Sequence, residues 1–189
     1  MPQDVPDSTL RIDAQRSRHA LLEAAHKVFA ERGIDVPFED VGRAAGVGKG
    51  TLYRHFPTRD DLYAAVSLER FAGLQDRATR LAASADPWRA LVAWLEDFDR
   101  SSHHYRGLSA RVSEGIGRVD SAVARACEPM RAEAGKLLLR AQDAGEVISA
   151  LDIQQLLTMV SALPDDFRNP DGSSNLLNIL LRGIHEDRR

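Results

Sequence analysis

The sequence predicts an all-α protein, and three observations lead to that prediction. Alanine and leucine, which favour helices, number 48 of the 189 residues, whereas valine, isoleucine and threonine, which favour strands, number 24. Apolar residues also recur at helical rather than alternating spacing through most of the chain. A chain of this length has room for one ordinary domain or two small ones, and it can bury a sizeable core without disulfide or metal support.

The first part of the chain predicts a flexible arm followed by three helices. Residues 1–12 are polar and contain prolines, so we expect a flexible arm there. A helix is predicted from about Asp13 to Arg32, with Gly33 ending it. Two short helices follow at about 38–45 and 49–56, separated by Gly46 and stopped by Pro57. Short helices joined by a tight glycine-containing turn are typical of a helix-turn-helix domain, which we assign to residues 13–58.

A longer helix is predicted from Thr58 to about Ala83. Thr58 and Asp61 have the spacing of a capping box. The apolar stripe rotates along this helix, from Leu62 and Val66 to a second set formed by Phe71, Leu74 and Ala78. A helix that changes its buried face in this way bridges two packing units. We therefore expect residues 59–189 to form a second, larger domain.

The remaining sequence predicts five more helices, about nine in all. Asp86 and Pro87 mark the start of one, as an N-cap followed by proline at the first helical position. The glycine-interrupted segment 106–118 predicts a poor, short helix, and residues 120–144 predict a long one that contains Pro129. Two final helices are predicted at about 152–163 and 174–186.

The composition excludes some classes of protein before any motif is considered. The single cysteine, Cys127, cannot form an internal disulfide, so nothing indicates an oxidising compartment. The N-terminal segment lacks the apolar core of a secretory signal, and no apolar run approaches the roughly 20 residues that cross a bilayer. We therefore expect a cytoplasmic protein that does not enter a membrane.

Charge is unevenly distributed along the chain, although the net charge is only −3. Residues 1–59 carry nine basic and eight acidic side chains, whereas residues 60–189 carry 16 and 20. The stretch from Arg43 to Arg59 contains four basic residues and no acidic one. Positive charge on and beside the last helix of a helix-turn-helix lies where DNA phosphates would be. The alternative is a solvated basic face on a small helical domain.

The side chains of this stretch suit contact with DNA. Lys49 and Arg54 can reach phosphates or guanine edges. Thr51 can hydrogen-bond a base and place its methyl group against thymine, and Gly50 would let the backbone approach closely. Three further polar groups suit phosphates, namely Tyr53, His55 and Arg59.

Residues 38–62, FEDVGRAAGVGKGTLYRHFPTRDDL, resemble the DNA-binding domain of the TetR/AcrR family of transcriptional regulators. The resemblance is carried by Ala-Gly-Val at 45–47, Gly-Thr-Leu-Tyr at 50–53, the Tyr-x-x-Phe spacing that ends at Phe56, and the basic residue that follows. The close match covers residues 20–66, about a quarter of the chain. The rest agrees with the family in length and helical character.

The resemblance implies a regulator rather than an enzyme. It implies a homodimer that binds a palindromic double-stranded DNA operator, usually as a repressor, and responds to a small-molecule effector. By motif position, Lys49, Gly50, Thr51 and Arg54 would face bases or adjacent phosphates, and Tyr53, His55, Thr58 and Arg59 would contact the DNA backbone. Two departures matter: Gly48 stands where many members have Ser or Thr, and Pro37-Phe38 replaces a common Thr or Ser.

The resemblance also assigns roles to the second half of the chain. It implies a four-helix dimer interface from the last two helices, for which the candidates are Leu156, Leu157, Val160, Leu176, Leu177, Leu180, Leu181 and Ile184. It implies a ligand pocket among the middle helices, for which the candidates are Trp94, Phe98, Tyr105, Cys127, Met130 and Met159. Each of these residues also suits an ordinary helical core.

The expected mechanism is a population shift. An effector that fits only the form with mis-spaced recognition helices would release the operator, with residues 106–118 as the moving part. A hydrolase using Cys127 or a serine with His103 or His104 is one alternative, although no nucleophile motif supports it. A structural adaptor is another. Adjacent helical histidines diverge by about 100°, so these two cannot chelate one ion, and no metal or other cofactor is predicted.

Overall fold

A computed structural model describes residues 7–102, 104, 105, 107, 121–164, 169 and 174–186. Within these residues the helices are α1 (Asp7–Arg32), α2 (Phe38–Ala44), α3 (Lys49–His55), α4 (Arg59–Leu81), α5 (Pro87–Ser102), α6 (Ala122–Asp143), α7 (Ile153–Ser161) and α8 (Asn175–Ile184). The described part of the chain contains no strand beyond an isolated antiparallel bridge between Val147 and His185. The all-α prediction is confirmed.

α1 begins earlier than the sequence predicted and ends where it was expected. It starts at Asp7 rather than Asp13, so residues 7–12 of the predicted flexible arm are helical. No proline follows Pro6 in this segment, so nothing in the sequence prevents the helix from extending back to residue 7. Gly33 ends α1 with a φ of 78°, and its amide donates to the Phe29 carbonyl at 3.0 Å.

The first three helices share one small core. α1 contacts both α2 and α3, which also contact each other. The buried side chains of this core are Leu21, Ala25, Phe29, Val41, Leu52 and Phe56. We call α1, α2 and α3 together the head.

α4 joins the head to the rest of the molecule. The predicted capping box is present, because the Thr58 hydroxyl accepts from the Asp61 amide while the Asp61 carboxylate accepts from the Thr58 amide. α4 contacts α1, α5 and α6. The side chains at both predicted apolar sets are buried, which confirms the rotation of its buried face.

The helices from α4 to α8 form a second packing unit, which we call the body. Asp86 caps α5 as predicted, since its carboxylate accepts from the Arg89 amide at 2.9 Å. Trp94 is completely buried, and its Nε1 donates to the Leu74 carbonyl of α4 at 2.9 Å. Trp88 is half-buried beside His185, with ring centroids 4.4 Å apart. α5 therefore faces α4 through Trp94.

The last three helices begin at capping residues close to the predicted positions. Ser121 caps α6, which contains Pro129, and Asp152 caps α7 in a capping box with Gln155. Ser174 caps α8. The predicted helix at 106–118 lies almost entirely outside the described residues. In the described part of the chain, no helix combines the length and apolarity needed to cross a membrane.

Candidate nucleic-acid interface

The turn between α2 and α3 brings the two helices into close contact. Gly46 has a φ of 67°, which favours glycine, and its amide donates to the Arg43 carbonyl at 3.1 Å. A Cβ at Gly42 would lie 3.3 Å from both Leu52 Cδ2 and the Val47 carbonyl oxygen. Leu52 therefore packs directly over α2, and its complete burial fixes which face of α3 points outward.

The outward face of α3 carries the predicted DNA-contacting residues. Lys49, Gly50, Tyr53 and Arg54 are exposed, and Thr51 and His55 are half-buried, whereas Leu52 and Phe56 are core residues. A Cβ at Gly50 would meet nothing within 4 Å. No packing within the chain requires glycine at this position, so an approaching partner has free access to the backbone there.

Glu39 of α2 connects two of these residues, and the sequence did not predict this role. Its Oε1 accepts from the Tyr53 hydroxyl at 2.9 Å and lies 3.3 Å from Lys49 Nζ. Lys49 Nζ also lies 5.7 Å from the centroid of the Tyr53 ring. Backbone hydrogen bonding, and then Tyr53 and Lys49, lower the pKa of Glu39, while the bond to Glu39 raises the pKa of Tyr53. The Glu39 carboxylate thus contacts the polar ends of both side chains.

Carboxylates of α2 partly neutralise the basic residues of the acid-free stretch 43–59. Asp40 lies 3.1 Å from Arg43 Nη1 and 2.9 Å from Arg32 Nη1, and Glu39 meets Lys49 as described. Arg54 forms no ion pair with any described carboxylate. Ion pairs between exposed side chains are weak, so these carboxylates are readily exchanged for other anions.

Thr58 and Arg59, which were also predicted to contact the DNA backbone, already have hydrogen-bond partners within the chain. The Thr58 hydroxyl donates to the Asp61 carboxylate at 2.7 Å. Arg59, a cation at the unfavourable end of a helix dipole, donates to the Val36 carbonyl. That carbonyl explains the position of Arg59 without a phosphate.

His55 and Gly48 complete the outward surface. Burial, followed by the charges of Arg18 and Arg54, lowers the pKa of His55. Gly48 is the N-cap of α3 with φ −66° and ψ 154°, and no side chain caps this helix. The expected loss of a cap at Gly48 is therefore observed.

Most candidate pocket residues lie in the core of the body. Trp94, Phe98, Tyr105, Cys127 and Met130 are all buried. Met159 differs, because it is 38% exposed on the outer side of α7 beside Leu151, Gln155 and Thr158. Its assignment to the same pocket is corrected, since α7 turns its buried face away from this side chain. Among the described residues, no group of three His, Cys, Asp or Glu side chains is placed to hold a metal ion.

Most of the predicted dimer-interface residues are also buried within the single chain. These are Leu156, Leu157, Val160, Leu177, Leu181 and Ile184. In the single chain these side chains pack in the core of the body, and their role in a dimer interface stays a prediction. Leu176 and Leu180 are half-buried, and Ile179, which was not a candidate, is 65% exposed. Apolar periodicity did not distinguish the two faces because α8 is apolar on both.

Two family models match the chain. Residues 21–66 match "Bacterial regulatory proteins, tetR family", and residues 86–186, more than half of the chain, match "Transcriptional regulator SbtR-like, C-terminal domain". A curated HTH-type transcriptional regulator from Staphylococcus aureus is 41% identical over 54 residues. That match covers 28% of this chain and 29% of the relative.

Solved structures resemble the chain over nearly its whole length. A TetR transcriptional regulator from Streptomyces coelicolor is 29% identical, with a TM-score of 0.55, and the match covers 90% of this chain and 99% of that one. RolR in complex with its ligand resorcinol is 21% identical, with a TM-score of 0.62, and the match covers 92% and 90%. At 21% identity the second similarity shows the fold alone.

Proposed function

The chain belongs to the TetR family of bacterial transcriptional regulators, which are DNA-binding transcription factors rather than enzymes, and from that premise we propose that it is a repressor. It binds a palindromic operator as a homodimer and leaves the operator when a small-molecule effector binds. The observation that carries this proposal is the outward face of α3, where Lys49, Tyr53 and Arg54 are exposed around an open Gly50.

The proposed DNA contacts divide into two groups. Arg54, which has no described carboxylate partner, reads a guanine edge or an adjacent phosphate, with Lys49, Gly50 and Thr51 beside it. Tyr53 and His55 contact the sugar-phosphate backbone. Thr58 and Arg59 support this surface mainly through the capping box of α4 and the Val36 carbonyl, and they contact phosphates only at their outer edges.

The proposed homodimer uses the outer faces of α7 and α8. α7 contains no charged residue, and its outer side carries Gln155, Thr158 and Met159. On α8, the strongly exposed Ile179 lies beside the half-buried Leu176. An uncharged surface with exposed apolar side chains is typical of the centre of a homodimer interface. Two-fold symmetry would then present two α3 helices to the two halves of a palindrome.

The proposed effector binds in the body, near the buried aromatic residues Trp94, Phe98 and Tyr105. RolR, a protein of the same fold, binds resorcinol, a small aromatic molecule. Release of DNA requires the effector to bind the released form more tightly than the DNA-bound form. We place the protein in the cytoplasm, associated with the nucleoid while it is bound to DNA.

Selection from random duplex DNA tests the proposal. The chain is incubated with a random library at moderate salt, and bound duplexes are recovered, amplified and sequenced over several rounds. We expect enrichment of one palindrome, and in a reporter assay a promoter overlapping that palindrome should be silenced by the wild type but not by Tyr53→Ala. If no sequence is enriched, the proposal of an operator-binding protein is wrong. Activation instead of silencing would overturn the repressor role.

A further inference from the structure

Four side chains meet where α1, α4 and the segment after α5 come together: His26, Arg70, His104 and Tyr105, which we call the junction cluster. His26 Nδ1 lies 2.7 Å from the Tyr105 hydroxyl oxygen. The Arg70 guanidinium lies over the Tyr105 ring, 4.8 Å from its centroid, and the His104 and Tyr105 ring centroids are 4.6 Å apart. One tyrosine thus contacts a cation and two imidazoles.

The charge of Arg70 has no anionic counterpart in this cluster. Its Nη2 is buried and meets no hydrogen-bond acceptor, and no ion pair joins Arg70 to any described carboxylate. Burial lowers the pKa of Arg70, and burial, followed by Arg70 and His26, lowers the pKa of His104. A buried charged group without a partner is costly, and interaction with a tyrosine ring offsets only part of that cost.

Arg77, another arginine of α4, has a carboxylate partner, and Arg70 has none among the described residues. Arg77, two turns further along α4, has its Nε 2.9 Å from Asp97 Oδ2 of α5. Its guanidinium is therefore balanced by a carboxylate of the body, whereas the guanidinium of Arg70 is not. A carboxylate presents two oxygens in one plane and matches the donor geometry of a guanidinium.

The junction cluster reaches the surface at its His104 edge, because His104 is exposed and Arg70 is only partly buried, and the unpaired Nη2 lies beneath that edge. We propose that it is a binding site for the carboxylate of a small organic acid, with Arg70 as the charged partner and the His104 and Tyr105 side chains as its walls. The identification of this acid as the effector rests on the proposed function, but the binding site itself does not.

The site lies against the head as well as the body. Tyr105 is bonded to His26 of α1, and a Cβ at Gly107 would lie 3.2 Å from Ile34 Cγ1 in the connection between α1 and α2. A carboxylate bound here therefore contacts groups that touch both parts of the molecule.

Thermal unfolding of the full-length protein with acetate and benzoate tests the site. Each acid is compared with its neutral amide, acetamide or benzamide, at equal ionic strength. For the wild type at a tenfold excess over Kd, we expect an increase in Tm of about 3–6 °C with at least one acid and none with its amide. Arg70→Met should abolish this increase without lowering the Tm of the unliganded protein, because it removes an unpaired charge. Arg80→Met, an exposed change on the same helix, should leave the increase intact.

His104→Ala is a second variant, and it should weaken the response without affecting folding because His104 is exposed. The proposal is overturned if neither acid stabilises the wild type more than its amide, or if Arg70→Met and His104→Ala respond as the wild type does. Stabilisation by inorganic phosphate alone would overturn the carboxylate assignment. These measurements contain no DNA, so a negative result for acid binding does not affect the operator-binding proposal. Likewise, if DNA selection enriches no sequence, the proposed carboxylate site is not affected.

Discussion

Tyr53 of the head and Trp94 of the body are both aromatic side chains with one polar hydrogen, yet they differ completely in exposure. Trp94 is 0% exposed, and its Nε1 donates to a backbone carbonyl, so all of its contacts stabilise the fold. Tyr53 is 37% exposed, and its hydroxyl is held by the exchangeable carboxylate of Glu39. The body buries its aromatic residue in the core, whereas the head leaves one exposed at the surface of α3. Changes in the two regions should therefore affect different measurements.

The largest expected effect is the difference between Trp94→Ala and Tyr53→Ala in the free energy of unfolding. Trp94→Ala should lower the free energy of unfolding by about 3–5 kcal/mol, because it leaves a cavity and removes a buried hydrogen bond. Tyr53→Ala should lower it by less than about 1 kcal/mol, because the side chain is already exposed. Denaturant titration of both variants measures the difference. Equal losses would mean that the head surface is as much a part of the core as Trp94 is.

Glu39→Gln tests whether the carboxylate of α2 competes with DNA. Removing its charge should increase affinity for duplex DNA by roughly three- to tenfold, because Lys49 and Tyr53 are released and one repulsion with phosphate is lost. Affinity is measured by fluorescence anisotropy of a labelled duplex over several salt concentrations.

Glu96→Gln is the matched control, since it makes the same charge change at an exposed position of α5. It should leave affinity within about twofold of the wild type, because charges beyond a Debye length of about 8–10 Å are screened. If both variants gain equally, net charge and not the position of Glu39 governs the affinity.

The lowered pKa of His55 predicts a pH dependence of DNA binding. In the free protein, burial and two arginines favour the neutral imidazole. A nearby phosphate favours the charged form, so DNA binding raises this pKa and takes up a proton. Affinity should therefore increase as pH falls from about 7.5 to 5.5, across the usual pKa of histidine. The increase should be smaller in His55→Gln, and an identical pH profile in both proteins would exclude this contact.

The smallest expected effect concerns the uncapped start of α3. Gly48→Ser should add a side-chain cap and stabilise the head by a few tenths of a kcal/mol, about 1 °C in Tm. Gly48→Ala, which cannot cap, should instead lower Tm slightly. Differential scanning calorimetry compares the two variants, and equal shifts would mean that the cap contributes nothing at this position.

The sequence predicted local features well and contacts between distant residues poorly. The cap of α4 at Thr58, the end of α1 at Gly33 and the rotation of the buried face of α4 all follow from short-range spacing, and the structure confirms them. The role of Glu39 was missed because its partner Tyr53 is 14 residues away on another helix. An acidic residue one step into α2 also has an ordinary explanation in the helix dipole, so nothing local indicated a partner.

The outer and inner faces of the last helices could not be separated by sequence for a related reason. α8 has apolar residues on both sides, so periodicity identified Leu181 but gave no basis for choosing Ile179 as the exposed one. Packing against α5 decides which face is buried. Arg59 was predicted to contact a DNA phosphate. Its acceptor within the chain, the Val36 carbonyl, lies in a loop 23 residues earlier, so nothing near Arg59 in the sequence indicated it.

The central claim is that the outward face of α3 reads DNA, and the affinity of Arg54→Ala for two duplexes tests it most directly. Kd is measured at about 150 mM salt for the selected palindrome and for a scrambled duplex of the same composition. The wild type should prefer the palindrome by a thousandfold or more. Arg54→Ala should lose roughly 5- to 150-fold on the palindrome with an unchanged Tm. Equal wild-type affinity for the two duplexes, or palindrome binding unaffected by Arg54→Ala, would contradict the claim.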